Sequence, residues 1–193
     1  MMNAVTKFKR QYHIGFSDVD FAKRLKLSSL FLYFQDAAGH AAESLGGGID
    51  FLKEKYSVTW VIVRIRVNID RIPGWDEKVT VETWHHEPGR FEFERDYIVR
   101  DEEGNIIIRA VSSWVLMDIE TRHIQKSDIV SFPPSSFDGE RAVDCRLGKL
   151  KPFGQLKKVY NKTVGYSDVD VNGHLNNARY IDFIMDCFDM EIH

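Results

Sequence analysis

The sequence predicts an α+β fold in which long antiparallel strands wrap one buried helix, and it predicts that the chain begins this unit twice. Three observations carry that reading. From Ser28, the apolar residues Leu30, Phe31, Phe34, Ala37, Ala38, Ala41 and Leu45 recur at helical spacing. Four long segments rich in Val, Ile, Trp, Phe and Tyr follow. Finally, Gly15-Phe16-Ser17-Asp18-Val19-Asp20 returns as Gly165-Tyr166-Ser167-Asp168-Val169-Asp170, at an offset of 150.

Residues 5–16 alternate as a strand does. The helix that opens at Ser28 ends at Gly46-Gly47-Gly48, as a helix C-terminus needing a left-handed residue would. No Gly-Lys-Ser/Thr follows these glycines, so they are not a phosphate loop. Strands are expected at about 56–70, 77–87, 90–101 and 105–119, with turns at Ile72-Pro73-Gly74, Pro88-Gly89 and Glu103-Gly104-Asn105. Arg90-Phe91-Glu92-Phe93-Glu94-Arg95 alternates, which puts charge on one face and aromatics on the other. One strand, one helix and then a run of strands is the hot-dog arrangement. The first such unit occupies residues 1–130.

Residues 131–162 read differently. Pro133-Pro134, Ser135-Ser136, Gly139, Pro152 and Gly154 break any periodicity. Between 141 and 162, Arg141, Arg146, Lys149, Lys151, Lys157, Lys158 and Lys162 face one acidic residue, Asp144. This is a basic, solvated connector to a second unit at 163–193, which carries a strand and a helix but no sheet. Four of that helix's apolar residues, Ile181, Ile184, Met185 and Phe188, are expected to take cover from the first unit or from self-association into a homo-oligomer, or else the segment frays.

Composition excludes several classes. The net charge of −3 argues against whole-surface attraction to nucleic acid or an anionic membrane. Apolar runs such as Trp60-Val61-Ile62-Val63 are far short of a membrane span. The opening residues show no apolar signal region, and Cys145 and Cys187 read as reduced thiols, so a soluble cytoplasmic protein is expected. No dinucleotide fingerprint appears, and no cofactor is expected. His85 and His86 are adjacent, point to opposite faces of a strand and make a poor metal pair. Gly15-Phe16-Ser17 and Gly165-Tyr166-Ser167 lack the closing glycine of a nucleophile elbow.

The two copies differ where chemistry is possible. The second reads Asp170-Val171-Asn172-Gly173-His174-Leu175, and the first reads Asp20-Phe21-Ala22-Lys23-Arg24-Leu25. Only the second keeps an amide and an imidazole. An extended backbone would project Asp170, Asn172 and His174 to one side, beside a helix N-terminus whose unpaired N–H groups can stabilise an oxyanion. His174 or Asp170 could then activate a water, with Asn172 holding a carbonyl oxygen or orienting the imidazole. The same residues also suit a turn and a helix cap.

The stretch Asp168-Val169-Asp170-Val171-Asn172-Gly173-His174-Leu175-Asn176-Asn177-Ala178-Arg179-Tyr180-Ile181 resembles the signature of the acyl-ACP thioesterases. Ser112–His123 resembles the closing strand of that family's first half. The resemblance implies a tandem hot-dog fold, an acyl pocket in the N-terminal half, and catalytic Asp170, Asn172 and His174 in the C-terminal half. It implies acyl carrier protein as partner and release of a fatty acid as the reaction. It also implies a further catalytic carboxylate or cysteine on a later strand, for which neither Glu191 nor Cys187 is a substitute. Cys187 matches Ala37 and is expected to be a buried apolar contact. Two alternatives stand beside this reading: an acyl-CoA thioesterase, and an acyl-thioester-binding protein without turnover.

Overall fold

The computed structural model describes residues 7–132, 139–151, 153–155 and 157–192. Residues 1–6, the Pro133–Ser136 stretch and Pro152 of the expected connector lie outside the described residues. Strand β1 (Phe8–His13) leads through a single 3-10 turn at Phe16–Asp18 into α1 (Leu27–Ser44). Next come α2 (Ile49–Tyr56), β2 (Val58–Ile69), β3 (Lys78–His85), β4 (Glu92–Arg100), β5 (Ile106–Asp118) and the short β6 (Ile124–Gln125). After a 3-10 turn at Ser127–Ile129, another at Tyr166–Asp168 precedes α3 (Asn177–Met185).

The helix and strands expected of the first unit are present, their ends within three residues of those expected, but the strand expected at the start of the second unit does not form: residues 157–165 take no strand. The sequence reading has no counterpart for α2. Its eight residues, IDFLKEKY, carry four charges, and one fully buried side chain, Leu52, anchors it. Such a helix depends on tertiary packing rather than on a visible apolar stripe. Ser57, in a left-handed conformation with φ 55°, ends α2 and sets the start of β2 at Val58.

The sheet runs β1-β3-β4-β5-β2, every neighbouring pair antiparallel, and β6 extends the β4 edge of β5. Its inner face takes α1. Leu30, Phe34, Ala37 and Ala38 of the helix join Val79, Val81, Tyr97 and Val99 of the sheet in one core. The Phe34 and Tyr97 rings stack with centroids 4.5 Å apart. A second core beneath α2 joins Leu52 to Val58, Phe93 and Leu116.

The alternation expected in β4 fails at one residue. Glu92 and Glu94 face outward to Arg64 and Arg141, at 2.6 Å each. Arg95, however, lies on the face of Phe93 and Tyr97, and it is buried. The adjacent histidines do separate: His85 is on the inner face, whereas His86 reaches Asp96 on the outer face at 3.3 Å.

The outer face also receives the chain after residue 138. Trp84 Nε1 donates to the Glu140 carbonyl (2.9 Å), Ala142 N–H donates to Asp96 (2.6 Å), and Val143 is buried. The first residues of the expected solvated connector are therefore docked on the sheet. From Gly148 onward the described residues of the connector are exposed.

Helix α3 packs against α1. Ile181 and Met185 are half-buried, but Ile184 and Phe188 remain 55% and 51% exposed. Cys187 is exposed as well, unlike its repeat counterpart Ala37, which is fully buried. Ala37 has the sheet above it, whereas α3 ends at Met185 and Cys187 lies beyond it, away from any described sheet.

Two outcomes follow from this core. Phe34→Ala removes a buried ring that stacks on Tyr97 and should cost about 3–5 kcal/mol in urea unfolding. An exposed control, Leu32→Ala, should cost well under that. Burial, and then the nearby Arg95 charge, pull the His85 imidazole down from 6.5 to about 4. The unfolded chain thus binds a proton that the folded chain refuses. Between pH 6.5 and 4 stability should fall with pH by up to about 1.4 kcal/mol per unit on this account. His85→Gln should remove that part of the slope and leave stability above pH 6.5 free of it; an unchanged slope would contradict the assignment.

Candidate active site

The second copy of the repeat folds as the first does. Gly15 N–H donates to Asp18 Oδ2, and Gly165 N–H to Asp168 Oδ2, both at 2.9 Å. Asp20 Oδ1 accepts from Ala22 N–H (2.8 Å) and Arg24 N–H (2.9 Å). Asp170 Oδ1 likewise accepts from Asn172 N–H (2.9 Å) and His174 N–H (3.1 Å). Backbone bridges Val19–Leu25 and Val169–Leu175 close both turns. Even the pairing to the following helix repeats: Arg10 reaches Asp36 at 3.2 Å, and Tyr160 reaches Asp186 at 3.4 Å.

This geometry replaces the extended backbone expected for 170–174. Gly173 takes a left-handed φ of 74°, and Lys23 holds the same place at 60°. Glycine adopts that conformation without the steric cost a lysine meets. The tight turn folds the Asp170 carboxylate back onto its own backbone, and one of its oxygens is committed there. Asn176 then caps α3, its side chain accepting from Ala178 N–H at 2.9 Å.

The copies diverge at the residue that leaves the turn. Arg24 folds back to Asp20 at 3.2 Å. His174 instead points outward, and Arg122 Nη1 lies 2.9 Å from its Nε2. A guanidinium only donates, so Nε2 is the acceptor and the imidazole carries its proton on Nδ1. Arg122 is itself held in a strained φ of 62°, at the end of a turn in which Asp118 Oδ1 accepts from Glu120 N–H and Thr121 N–H.

Asp170, Asn172 and His174 meet at one end of a cavity of about 790 Å³ between α1 and the inner face of the sheet. Ala38, Gly39 and Ala42 keep the helix side shallow, and Trp60, Phe93, Trp114 and Phe132 form aromatic walls. Trp60 is fixed by its Nε1 donating to the Gly47 carbonyl (2.9 Å) and by an edge-to-face contact with Phe93 at 4.8 Å. The arrangement suits a long apolar group whose polar head lies against the 170–177 turn. Among the described residues no group of three His, Cys, Asp or Glu side chains is placed to hold a metal ion.

The three expected residues therefore line one cavity. Sequence reasoning missed Arg122, 52 positions away from the His174 it touches, and no local pattern marks it. It also missed Arg95 and His85 inside the cavity. Arg95 had a signal, because it is charged where the strand's period demands an apolar residue.

Comparison with known proteins gives the same frame. The family model described as the acyl-ACP thioesterase N-terminal domain matches residues 5–130, and that of the C-terminal domain matches residues 155–193. An oleoyl-acyl carrier protein thioesterase of Coriandrum sativum is 28% identical over 96% of this chain and 54% of its own length. A palmitoyl-acyl carrier protein thioesterase of Gossypium hirsutum is 31% identical over 96% of this chain and 48% of its own. The chain thus spans about half the length of the curated relatives it matches. Among solved structures, an acyl-ACP thioesterase from Bacteroides thetaiotaomicron superposes with a TM-score of 0.87 at 30% identity, covering 100% of this chain and 77% of that one. The 12:0-ACP thioesterase from Umbellularia californica superposes at 0.85 and 27% identity, covering 98% and 73%. With a hot-dog sheet around α1, a repeated turn and both domain models matched, the chain belongs to the acyl-ACP thioesterase family.

Proposed function

We propose that this chain carries the acyl pocket and the hydrolytic turn of an enzyme that releases a fatty acid from acyl carrier protein. The observation that carries the reading is the placement of Asn172 and His174 at one end of a cavity whose walls are aromatic and alanine-lined. An acyl chain would fill the cavity and leave its thioester carbonyl at the turn. Water adds to the carbonyl carbon, the C–S bond breaks, and the carrier's thiol leaves with a proton. His174 takes the water's proton and returns it to the sulfur. Asn172 orients the carbonyl or the imidazole, and Arg122 competes with water for the His174 Nε2 lone pair.

The role of Asp170 follows from its counterpart. Asp20 builds the same turn in a copy that has no imidazole, so turn formation needs the carboxylate and chemistry is not its cause. Asp170 is then a positioning residue that sets Asn172 and His174. The relatives named as acyl carrier protein thioesterases favour this carrier over coenzyme A. A reducing compartment, the cytoplasm in a bacterial host, suits the free Cys145 and Cys187.

His174→Ala should lower kcat/KM for acyl-ACP by about 100-fold or more, the usual scale for a positioned base. Arg24→Ala, at the equivalent place in the first copy, should change it by less than about threefold on the same argument. Equal tolerance at both positions would contradict the assignment of chemistry to the second turn.

Acyl carrier protein is acidic, so docking needs a local basic surface on a chain of net charge −3. Arg141 and Lys162 are engaged with Glu94 and Asp168, and Lys23 lies over Trp75. Lys157 and Lys158 are exposed and form no ion pair among the described residues. Reversing both to Glu should weaken use of acyl-ACP and spare a small acyl thioester. Equal losses on the two substrates would remove the connector from the docking surface.

A further inference from the structure

A plain alkyl chain leaves one part of the cavity wall unused. Arg95 sits on the inner face of β4, opposite His85 of β3 and Ser112 of β5 in the strand register. It is 9% exposed, and Thr83, His85 and Ser112 around it are buried too. Its one hydrogen bond among the described residues is from Nη1 to Thr83 Oγ1 at 3.2 Å, leaving most of a guanidinium's five N–H donors unengaged there. It forms no ion pair among the described residues. Of the four carboxylates that line the cavity among the described residues, Glu94 turns its side chain outward to Arg141, Asp36 is bound by Tyr12 at 2.6 Å and by Arg10, Asp170 by its own turn, and Glu43 lies against Gly48 and makes no ion pair with Arg95.

A guanidinium keeps its charge at any physiological pH. Burying that charge without a counter-charge is costly. His85 offers none, because burial and Arg95 itself hold its imidazole neutral, titrating at about 4. The cavity is thus an aromatic sleeve with a buried cationic, donor-rich spot in its wall, apart from Arg122 at the turn. A saturated chain would lie against that spot and shut its N–H groups away from water. An oxygen on the chain would answer them.

We propose that Arg95 is a specificity-determining residue: the cavity prefers acyl groups bearing an oxygen acceptor along the chain or at its end over saturated chains of equal length. Hydroxyl, oxo and terminal carboxylate groups share that chemistry. The inference rests on the reading of this cavity as the acyl site.

The test uses non-hydrolysable amide analogues of acyl-pantetheine, all of one chain length. One is saturated, a set carries a hydroxyl or oxo group moved along the chain, and one ends in a carboxylate. Binding to the wild-type chain, Arg95→Met and Arg95→Lys is measured by titration calorimetry. At least one oxygenated analogue should bind the wild type about tenfold or more tighter than the saturated one, the scale of a charge-assisted hydrogen bond. Which analogue wins identifies the oxygen group. Arg95→Met should abolish the preference and Arg95→Lys should keep part of it. Thr83→Val, which retains the cation and removes its anchor, should reduce the preference without weakening the saturated analogue; this holds the test open should Arg95→Met not fold. Saturated and oxygenated analogues binding the wild type alike, or a preference that survives in Arg95→Met, would overturn this inference while leaving the thioesterase reading intact. Failure of every analogue to bind would overturn both.

Discussion

The close approach of α1 to the inner face of the sheet governs the rest of the structure. A helix can lie there only if its contact face is small where the strands come near and large where they recede. Ala37, Ala38 and Ala41 supply the small face, and Phe34 stacked on Tyr97 fills one end. Toward the other end the helix carries Gly39 and Ala42, and nothing of comparable bulk replaces Phe34. The same packing that makes the core therefore leaves the cavity. Larger side chains at Gly39 or Ala42 would extend the core at the expense of the cavity.

The second constraint is the Asp-centred turn that precedes each helix. Its hydrogen bonds are nearly identical in the two copies, at Asp18 and Asp20 and at Asp168 and Asp170. A turn this well specified by its own side chains can tolerate change at the positions it does not use. Position 24 or 174 is one of them: an arginine that folds back onto Asp20 in the first copy, an imidazole that leaves the turn to meet Arg122 in the second. Position 23 or 173 shows the converse, a lysine held at positive φ in one copy and a glycine in the other. Duplication thus provides a scaffold in which one half keeps packing and the other hosts polar groups.

Much of this was legible in the sequence because it is periodic. Helix α1 shows seven apolar residues at helical spacing, the strands show β-branched and aromatic runs between turn signals, and the repeat keeps a constant offset of 150. What escaped detection depends on single contacts. Helix α2 is anchored by Leu52 with Tyr56 beside it, the 139–143 segment by hydrogen bonds to Trp84 and Asp96, and Arg122 by a side chain far away in the chain. The alternation around Asn172 and His174 points to residues that do line the cavity, but a turn and not an extended strand gathers them. Arg95 is the opposite case: a charged residue at the position where the period of β4 calls for an apolar one, it breaks the alternation in plain view.

Photo-crosslinking tests most directly whether the space between α1 and the sheet is the acyl site. An acyl carrier protein analogue bearing a medium-length acyl amide with a diazirine near its end would be irradiated with the protein and the adducts mapped by mass spectrometry. Labelling should fall on cavity residues such as Phe93, Trp114 or Ala42, and a saturating unlabelled analogue should suppress it. Labelling confined to exposed aromatic residues on other faces, such as Phe16 and Trp75, would contradict the assignment of the cavity.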